Sequence, residues 1–388
     1  MNKIKVLHII TRVVNGGADE NTLFTINGLN KDEYEIDLLA GSESEKEILE
    51  RISLENNITF YQIDSLVRNI SLHNDIKALF KIYKIIKENN YDIVHTHIAK
   101  AGVLGRIAAK IAGVPHIIHG VHGITFPDQI NIFKRELFKN IERLCGLFTD
   151  KFITVGDDMK QKYINAKVGN PKDYTTIRSG MELSQFINAA DNEQKKILSL
   201  KEDLGLKDDD LLIGMVSKLE KRKGYKYFLE VAKDIVEEFP NVKFLIIGNG
   251  SEYDTLVKKV NRMNLNNNVI FTGYRTDIAD VFSILDIKVL TSLWEGLPRV
   301  LVQAAAVAKP IVTFNVDGAW EIVDEGKNGY IVPMRDTKAM TRKLKLLIKD
   351  DKLRRKMGKC SQEKVSNDWT IENMVKETDR LYKSLVNK

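Results

Sequence analysis

The chain has 388 residues, of which 43% are hydrophobic and 29% charged, a composition typical of a globular protein with two or three domains. Its formal net charge of +6, without a continuous lysine or arginine tract, argues against nucleic acid as a partner. The two cysteines, Cys145 and Cys360, lie far apart with no metal-ligand partners nearby, which argues against a disulfide framework and a cysteine-based zinc site. No segment approaches the roughly 18 apolar residues of a membrane span. We therefore expect a cytoplasmic protein or one bound peripherally at the inner face of the cell membrane.

In the first part of the chain, short apolar runs alternate with amphipathic stretches of helical period. Strands are predicted at residues 4–10, 35–40, 91–97, 115–120 and 151–155. Helices are predicted at residues 16–29, 71–90, 102–113 and 130–148. This alternation indicates βαβ units and a parallel sheet, and the nearly continuous apolar runs indicate strands that are covered on both faces.

The pattern breaks near residues 174–187, and a polar segment at 188–210 follows before the alternation restarts. Further strands are predicted at residues 211–216, 242–248, 268–273, 286–292 and 310–314, with helices between them. The predicted fold is therefore α/β, with two Rossmann-like domains at residues 1–175 and 180–367 that face each other across a cleft. Ligands of such sheets bind at the carboxyl ends of the strands.

Two loops at predicted strand ends carry features that suit an anion. Gly16 and Gly17 stand between the first strand and its helix, where paired glycines allow a close backbone approach and a helix N-terminus favours negative charge. A tight turn without a ligand explains them equally well. In the second domain, "SKLEKRKG" places Lys218 and Lys223 after a strand, where cations can clamp a diphosphate, although a solvated basic loop is common.

Histidines and acidic residues near other strand ends are less specific. His122 follows the strand of "PHIIHGVHG" and can face a cleft, whereas "HTH" at residues 95–97 has mainly a structural interpretation. Without acidic or cysteine partners at ligand spacing, the histidines do not predict a metal site. The pair Asp208 and Asp210 precedes a strand, away from the expected cleft, and is interpreted as a solvated turn.

The stretch "SLWEGLPRVLVQAAAVAKPIV" places Glu295 in a turn that contains glycine and proline. A helix of small apolar residues follows and carries Gln303 eight positions later. No GxSxG, HExxH, Walker A or CxxC motif is present, which removes several hydrolase, zinc-protease and NTPase interpretations.

These features together resemble the retaining GT-B glycosyltransferases of family 4, over nearly the whole chain. The segment "GMVSKLEKRKG" is similar to the family's basic loop, and "TSLWEGLPRVLVQAAAVAKPIV" is similar to its E-x7-E element. Residues 92–123 resemble the acceptor domain of bacterial polysaccharide-type members. Residues 369–385 resemble the last helix of the family, so the resemblance implies that a helix at 370–388 completes the first domain.

The resemblance implies a role for each matching residue. Glu295 would contact hydroxyl groups of the donor sugar, and position 303 would accept a hydrogen bond from the nucleotide ribose. The family has Glu at that position and Gln303 stands here, so the acceptor remains but its charge is lost. Ala308 likewise replaces a usual glycine. The catalytic set implied is His122, Glu295, Lys218 and Lys223, and the donor-binding set is Gly16, Gly17, Gly248, Arg275, Gly296, Leu297, Pro298, Arg299 and Gln303.

The implied reaction moves a sugar of hexosyl or N-acetylhexosaminyl type, with retention, from a nucleotide diphosphate to a hydroxyl group. A UDP-sugar is the expected donor, and a lipid-linked glycan intermediate of surface polysaccharide synthesis is the expected acceptor. Lysines and backbone N–H groups would stabilise the leaving diphosphate, so no metal and no cofactor are expected. His122 would hydrogen-bond the donor sugar.

Two other classes remain open at this point. A nucleotide-sugar epimerase of the same fold would release its product without an acceptor and would need further acid–base carboxylates. A non-catalytic partner subunit of a glycosyltransferase is suggested only by Gln303 and Ala308, and the presence of the catalytic set argues against it.

A membrane surface is the last partner that the sequence suggests. Residues 75–145 contain 11 Lys or Arg against 6 Asp or Glu, and two predicted helices place apolar and aromatic residues between these cations. A basic amphipathic helix can bind an anionic membrane, although packing on the sheet would explain the same pattern. We expect the first domain to dock on anionic lipid through the following residues: Ile76, Leu79, Phe80, Tyr83, Ile86, Phe133, Leu137, Phe138 and Ile141.

Overall fold

The structure is a computed structural model that describes residues 3–14, 17–45, 58–127, 130–191 and 194–386. It divides into unit 1, Met1–Met181 with Thr370–Lys388, and unit 2, Glu182–Trp369. The sequence-based boundaries of 1–175, 180–367 and 370–388 lie within a few residues of these. The chain changes unit next to an isolated parallel bridge between Met181 and Thr370.

Unit 1 contains a parallel sheet of seven strands among its described residues, in the order β3-β2-β1-β4-β5-β6-β7. Its strands, β1 to β7, are Ile4–Ile9, Tyr34–Gly41, Thr59–Ile63, Ile93–His97, His116–Val121, Lys151–Thr154 and Tyr174–Thr176. Its helices, α1 to α5, are Gly17–Gly28, Leu72–Asn89, Ala99–Ala112, Ile132–Gly146 and Asp157–Asn165. The strand order changes direction between β1 and β4, which makes their carboxyl ends the expected ligand position of this sheet.

Unit 2 contains a second parallel sheet, of six described strands, in the order β10-β9-β8-β11-β12-β13. These strands, β8 to β13, are Leu211–Val216, Val242–Ile247, Val269–Gly273, Ile287–Leu290, Ile311–Phe314 and Gly329–Val332. The helices, α6 to α14, are Ser184–Ala190, Gln194–Asp203, Tyr225–Val236, Tyr253–Arg262, Ile278–Ile284, Arg299–Ala306, Ala319–Ile322, Thr337–Lys349 and Asp351–Val365. Here the order changes direction between β8 and β11. The prediction of an α/β protein with two Rossmann-like sheets is confirmed.

Alternation along the strands of unit 1 assigns side chains to two apolar layers. Val6, Leu38 and Ile93 belong to the layer that also contains α1 and the C-terminal residues, whereas their neighbours Leu7 and Leu39 belong to the layer under α2 and α3. Successive strand residues point to opposite faces, so burial of both faces requires the continuous apolar runs seen in the sequence.

The last helix, α15 (Ile371–Val386), packs on α1 of unit 1. The helices approach closely at Gly28, where a Cβ atom would come within 2.5 Å of Val375 Cγ2. The Tyr34 hydroxyl donates to Asp379 Oδ1 at 2.8 Å, and Tyr382 is fully buried in the layer below. The terminal helix is therefore an integral part of the core of unit 1.

Several elements were not predicted from the sequence. The polar segment at 188–210 contains α7, which packs on α10 and buries only a few residues, such as Leu200. The edge strand β3 and the three-residue β7 have too few buried positions for a clear period. Short or mostly exposed elements depend on their neighbours for stability, which a local pattern does not show.

Of the predicted membrane-facing residues, Phe138 and Ile141 are half-buried, and the other seven separate into two groups. Leu79, Tyr83 and Ile86 pack into the layer under α2, because this helix covers the sheet with one face, so their assignment to a lipid surface was wrong. Leu72, Ile76 and Phe80 form the exposed apolar side of α2, and Phe80 is 67% exposed. On α4, Phe133 is 82% exposed and Leu137 is also exposed. Across the described part of the chain, every helix is too short or too polar to span a bilayer.

Candidate active site

Two loops that carry predicted site residues of unit 2 lie at the switch point of its sheet. The basic loop, residues 217–224, follows β8, and the loop that contains Glu295 follows β11, the neighbouring strand. Leu293 N–H donates to Arg222 O at 2.8 Å, and Thr291 Oγ1–H is within 3.1 Å of Gly224 O. These backbone bonds fix the two loops against each other.

Gly224 is the position at which the loops approach most closely. Its φ of +67° lies in the left-handed region, and a Cβ atom would come within 2.1 Å of Thr291 O. Only glycine fits there without moving one of the loops. The glycine after the basic triplet therefore allows the cations to reach the Glu295 loop.

Glu295 is held between two cations. Its Oε1 accepts from Lys223 Nζ at 2.5 Å, and its Oε2 lies 3.4 Å from Arg222 Nη1. The side chains of Glu295 and Lys223 are only 8% and 11% exposed, so the pair is largely removed from water. We call Glu295, Lys223 and Arg222 the carboxylate clasp. Arg222 also bonds Glu220 at 2.9 Å, which orients its guanidinium group.

The remaining predicted cation and the following helix lie in different surroundings. Lys218 is 70% exposed, with Glu220 3.3 Å away, so it is free to move toward a ligand. The helix α11 begins at Arg299 after Pro298, and the Arg299 N–H already donates to Leu297 O at 2.9 Å. This N–H thus has a partner within the loop before the helix. Gln303 is half-buried on the same helix.

Two further predicted residues of unit 2, Gly248 and Arg275, have close contacts within the unit. Gly248 has a φ of +135°, and a Cβ atom there would come within 2.1 Å of Ser217 O beside the basic loop. Arg275 makes a two-point ion pair with Asp277. Asp210 is not solvated as expected, because it is buried and accepts from Lys207 N–H at 2.8 Å in the turn before β8.

In unit 1, the residues near the glycine loop and His122 lie at carboxyl ends of strands. Gly17 is the first residue of α1, while Gly16 lies outside the described residues. Asp19 is buried in the first turn of α1 and accepts from Val14 N–H at 3.1 Å. Burial raises the pKa of the Asp19 carboxyl group to about 6. Burial lowers the pKa of His122 to about 4, so this imidazole is neutral near pH 7.

The neighbouring histidines are more closely connected to His122 than the sequence indicated. His97 Nδ1 lies 3.0 Å from His122 Nε2, and His8 Nδ1 lies 2.9 Å from His97 Nε2. Among the described residues, His8, His95 and His97 are the group that could share a metal ion, with nitrogen atoms within 4.8 Å of one another. Two of them already hydrogen-bond each other, which gives these nitrogens a partner without an ion.

Unit 1 also contains a mostly apolar cavity of about 590 Å³. It lies beside α2, α3 and α4, and its apolar lining includes Ile70, Phe138 and Ile141. The cations Arg12, Arg68 and Lys100 also line it. Lys100 is paired with Asp75 at 2.5 Å. Within the described ranges, neither of the two guanidinium groups has an ion-pair partner.

Sequence reasoning missed three contributors to these sites. Arg222 was visible in the basic loop, but only the structure shows that it contacts Glu295. Asp19 stands two residues after Gly17, and an acidic residue in a first helical turn is too common to be diagnostic. Tyr382, which lies 2.6 Å from His95 Nδ1, is 287 positions away in the chain, and no local pattern could have joined the two.

Comparisons with known proteins identify the relatives of the chain. The family model "Glycosyl transferases group 1" matches residues 197–364, and "Glycosyl transferase 4-like" matches residues 17–155. A UDP-Gal:alpha-D-GlcNAc-diphosphoundecaprenol alpha-1,3-galactosyltransferase of Escherichia coli is 30% identical over 99% of this chain and 98% of its own length. The capsular polysaccharide biosynthesis glycosyltransferase CapM of Staphylococcus aureus is 26% identical over 82% and 83% of the two chains.

Solved structures share the fold of the chain. Anabaena Alr3699/HepE in complex with UDP matches with a TM-score of 0.81 at 20% identity, over 98% of this chain and 100% of that one. WaaG, a glycosyltransferase involved in lipopolysaccharide biosynthesis, matches with a TM-score of 0.73 at 12% identity, over 97% and 99%. These likenesses show the GT-B fold.

Proposed function

The chain belongs to the group 1, family 4-type glycosyltransferases, and we propose that it transfers a sugar from a UDP-sugar to a lipid-linked diphosphate acceptor with retention of configuration. The carboxylate clasp, at the switch point of the sheet in unit 2, is the observation that carries the proposal. A clasped carboxylate can accept hydrogen bonds from sugar hydroxyl groups, while the surrounding cations attract a diphosphate.

The three cations near Glu295 have different tasks in the proposed reaction. The Lys223 ammonium group has three N–H donors, of which Glu295 uses one, so the same group can also contact a β-phosphate. Arg222 and the exposed Lys218 supply further positive charge as the diphosphate leaves. Stabilising that leaving group is the main electrostatic task of the reaction, and in this proposal these cations perform it without a metal ion.

Position 303 would bind the ribose of UDP. The amide oxygen of Gln303 can accept from a ribose hydroxyl, with about half the strength that a carboxylate would provide. Because His122 is neutral, it would act by hydrogen bonding to the donor sugar and not as a cation. No carboxylate nucleophile is assigned, and attack on the same face as the leaving phosphate would retain the configuration.

The cavity of unit 1 supports a lipid-linked diphosphate as the acceptor. Arg12 and Arg68 offer guanidinium groups that match phosphate oxygens, and the apolar lining suits the first part of a polyprenyl chain. The E. coli and S. aureus relatives are consistent with such a role in glycan synthesis.

Exposed side chains beside the cavity suggest how the acceptor is reached. Ile76 and Phe80 of α2 and Phe133 of α4 are exposed apolar residues on helices that adjoin the cavity, with Lys81 and Lys134 exposed among them. We propose that this surface rests on an anionic membrane, because apolar side chains surrounded by lysines bind such interfaces.

The direct test is a transfer assay with a panel of UDP-, GDP- and ADP-sugars and a short-chain GlcNAc-diphosphate lipid. We expect glycosylation of the lipid with one UDP-sugar, unaffected by EDTA, with NMR of the product showing the anomeric configuration of the donor. Glu295→Gln should weaken discrimination between donor sugars more than it weakens UDP binding. An epimerised sugar nucleotide formed without acceptor would favour the epimerase, and tight donor binding without turnover would favour a non-catalytic subunit.

The acceptor and membrane proposals have separate tests. Arg12→Ala and Arg68→Ala should each raise the KM for the lipid about tenfold, the effect of one charge-assisted hydrogen bond. Exposed Lys110, on the same helix as Lys100, provides the control, since Lys110→Ala should leave this KM unchanged. Equal effects on the acceptor and on the UDP-sugar would refute the cavity assignment.

Co-sedimentation with vesicles containing anionic phosphatidylglycerol tests the surface. Binding should weaken with salt, and Phe80→Ser together with Phe133→Ser should reduce it. Leu346→Ser in unit 2 removes a similarly exposed apolar side chain and should not. No binding to anionic vesicles at low salt would exclude the membrane surface.

A further inference from the structure

A continuous path of hydrogen-bonding groups connects His122 with the C-terminal helix through the interior of unit 1. From His122 Nε2 it runs 3.0 Å to His97 Nδ1, and from His97 Nε2 it runs 2.9 Å to His8 Nδ1. His8 Nε2 lies 3.4 Å from the Tyr382 hydroxyl, which lies 2.6 Å from His95 Nδ1. The histidines belong to β1, β4 and the end of β5, and Tyr382 belongs to α15.

The alternation of side-chain directions along the strands explains why these groups meet. His8 is two residues after Val6, and His95 is two residues after Ile93, so both face the layer that contains α15. Gly120 of β5 leaves room for the rings, since a Cβ atom there would come within 3.2 Å of nitrogen atoms of His95, His97 and His122. The path is thus built by the sheet and closed by the terminal helix.

Each link of the path restricts the next one. Burial lowers the pKa of His8, His95 and His97 well below the ordinary value, so their rings are neutral. A neutral imidazole has one N–H donor and one acceptor nitrogen, so a ring that accepts on one side must donate on the other. The hydrogen-bonded path therefore has two arrangements: every donor along it points toward His95, or every donor points toward His122.

The shortest link selects one arrangement. A phenol O–H is a stronger donor than a neutral imidazole N–H, so the 2.6 Å contact is assigned as donation from Tyr382 to His95 Nδ1. The Tyr382 oxygen then accepts from His8 Nε2–H, and His8 Nδ1 accepts from His97 Nε2–H. His97 Nδ1 accepts from His122 Nε2–H, which leaves His122 Nδ1 with a free lone pair. This nitrogen has no hydrogen-bond partner in the described structure.

We propose that Tyr382 of the terminal helix is a positioning residue that fixes the tautomer of His122 through His8 and His97, so that His122 Nδ1 is an acceptor. Its catalytic consequence rests on the proposed function, in which His122 hydrogen-bonds the donor sugar. A sugar hydroxyl group would donate to Nδ1. With a proton on Nδ1, this nitrogen could only donate to a sugar oxygen, and the hydroxyl group would lose its acceptor.

Tyr34 provides a matched control for Tyr382. Its hydroxyl also bonds the terminal helix, at Asp379, and its ring packs edge-on against that of Tyr382 with centroids 6.1 Å apart. Tyr34→Phe and Tyr382→Phe thus each remove one buried hydroxyl group from the same packing region. Only the second removes a member of the path.

Two-bond ¹H–¹⁵N correlation spectra of the full chain with ¹⁵N-histidine read the tautomer directly. The chain has seven histidines, and single substitutions assign their signals. We expect His122 as the Nε2–H tautomer in the wild type and in Tyr34→Phe, and a mixture of tautomers in Tyr382→Phe. An unchanged His122 signal in Tyr382→Phe, in a folded protein, would overturn the proposal whatever the activity.

Measurement of kcat then distinguishes the proposed role of Tyr382 from the proposed catalytic role of His122. With the altered tautomer, kcat should fall roughly tenfold, the rate equivalent of one net hydrogen bond, while the KM for the donor stays within about twofold. If the tautomer changes but kcat does not, and His122→Asn is also fully active, Tyr382 does control His122 and the catalytic role of His122 is wrong.

Discussion

Breaking the carboxylate clasp is expected to affect stability as well as catalysis. In Lys223→Met the buried Glu295 carboxylate loses the partner at 2.5 Å and keeps Arg222 at 3.4 Å. With an effective dielectric constant of about 20, these contacts correspond to roughly 7 and 5 kcal/mol of Coulomb attraction before desolvation is subtracted. Removing one partner of a buried pair commonly costs about 3–5 kcal/mol. Since Arg222 remains, we expect a loss near 3 kcal/mol in the free energy of unfolding.

Tryptophan fluorescence during urea unfolding measures this loss of stability in unit 2, which contains the carboxylate clasp. The three tryptophans, Trp294, Trp320 and Trp369, all belong to unit 2, so their emission reports that unit selectively. Lys218→Met is the control, because this exposed side chain makes a single ion pair, with Glu220, among the described residues and should change stability by less than about 1 kcal/mol.

A double-mutant cycle completes the test. Glu295→Gln removes the charge that Lys223 neutralises, so the double variant should be more stable than the sum of the single losses predicts, by at least about 1 kcal/mol. Turnover of Lys223→Met should fall about 10²–10³-fold. Additive losses, or a Lys223→Met protein as stable as Lys218→Met, would refute the coupling between these two residues.

Three further predictions concern single residues. Because the Asp19 pKa rises from 3.8 to about 6 on folding, its ionisation costs stability as pH rises through this window. Asp19→Asn should therefore stabilise unit 1 by up to about 3 kcal/mol at pH 8 but by only about 0.5 kcal/mol at pH 4. Equal gains at the two pH values, measured by circular dichroism during urea unfolding, would contradict this. Gln303→Glu should tighten UDP binding several-fold and Gln303→Ala should weaken it, as measured by calorimetry; loss of activity in the first variant alone would mean that position 303 does not face the ribose. With a His122 pKa of about 4, kcat should show no His122-dependent inflection between pH 6 and 8, and an inflection near 6.5 that His122→Asn removes would contradict the neutral ring.

The sequence predicted those features that depend on local periodicity or on a loop beside a strand. Alternating apolar runs located most strands of both sheets, and the basic loop and the turn at Glu295 were each predicted to follow a strand, as they do in the structure. The contact between Lys223 and Glu295, which are 72 positions apart, depends on the strand order β8-β11, and a single sequence does not reveal that order. Ile86 was assigned to a lipid surface because a helical stripe does not show whether a sheet or a membrane covers it.

The position of α15 has a consequence for biosynthesis. During translation, residues 3–181 leave the ribosome first, but their sheet lacks the helix that buries Met374, Leu381 and Tyr382 against it. Almost 200 residues, including all of unit 2, must be made before that helix appears, which takes on the order of 10–40 s at elongation rates of about 5–20 residues per second. Throughout that interval the nascent first unit has an uncovered apolar face. A chaperone that covers this face, or a circular permutant that begins at residue 370, should therefore raise the yield of folded protein.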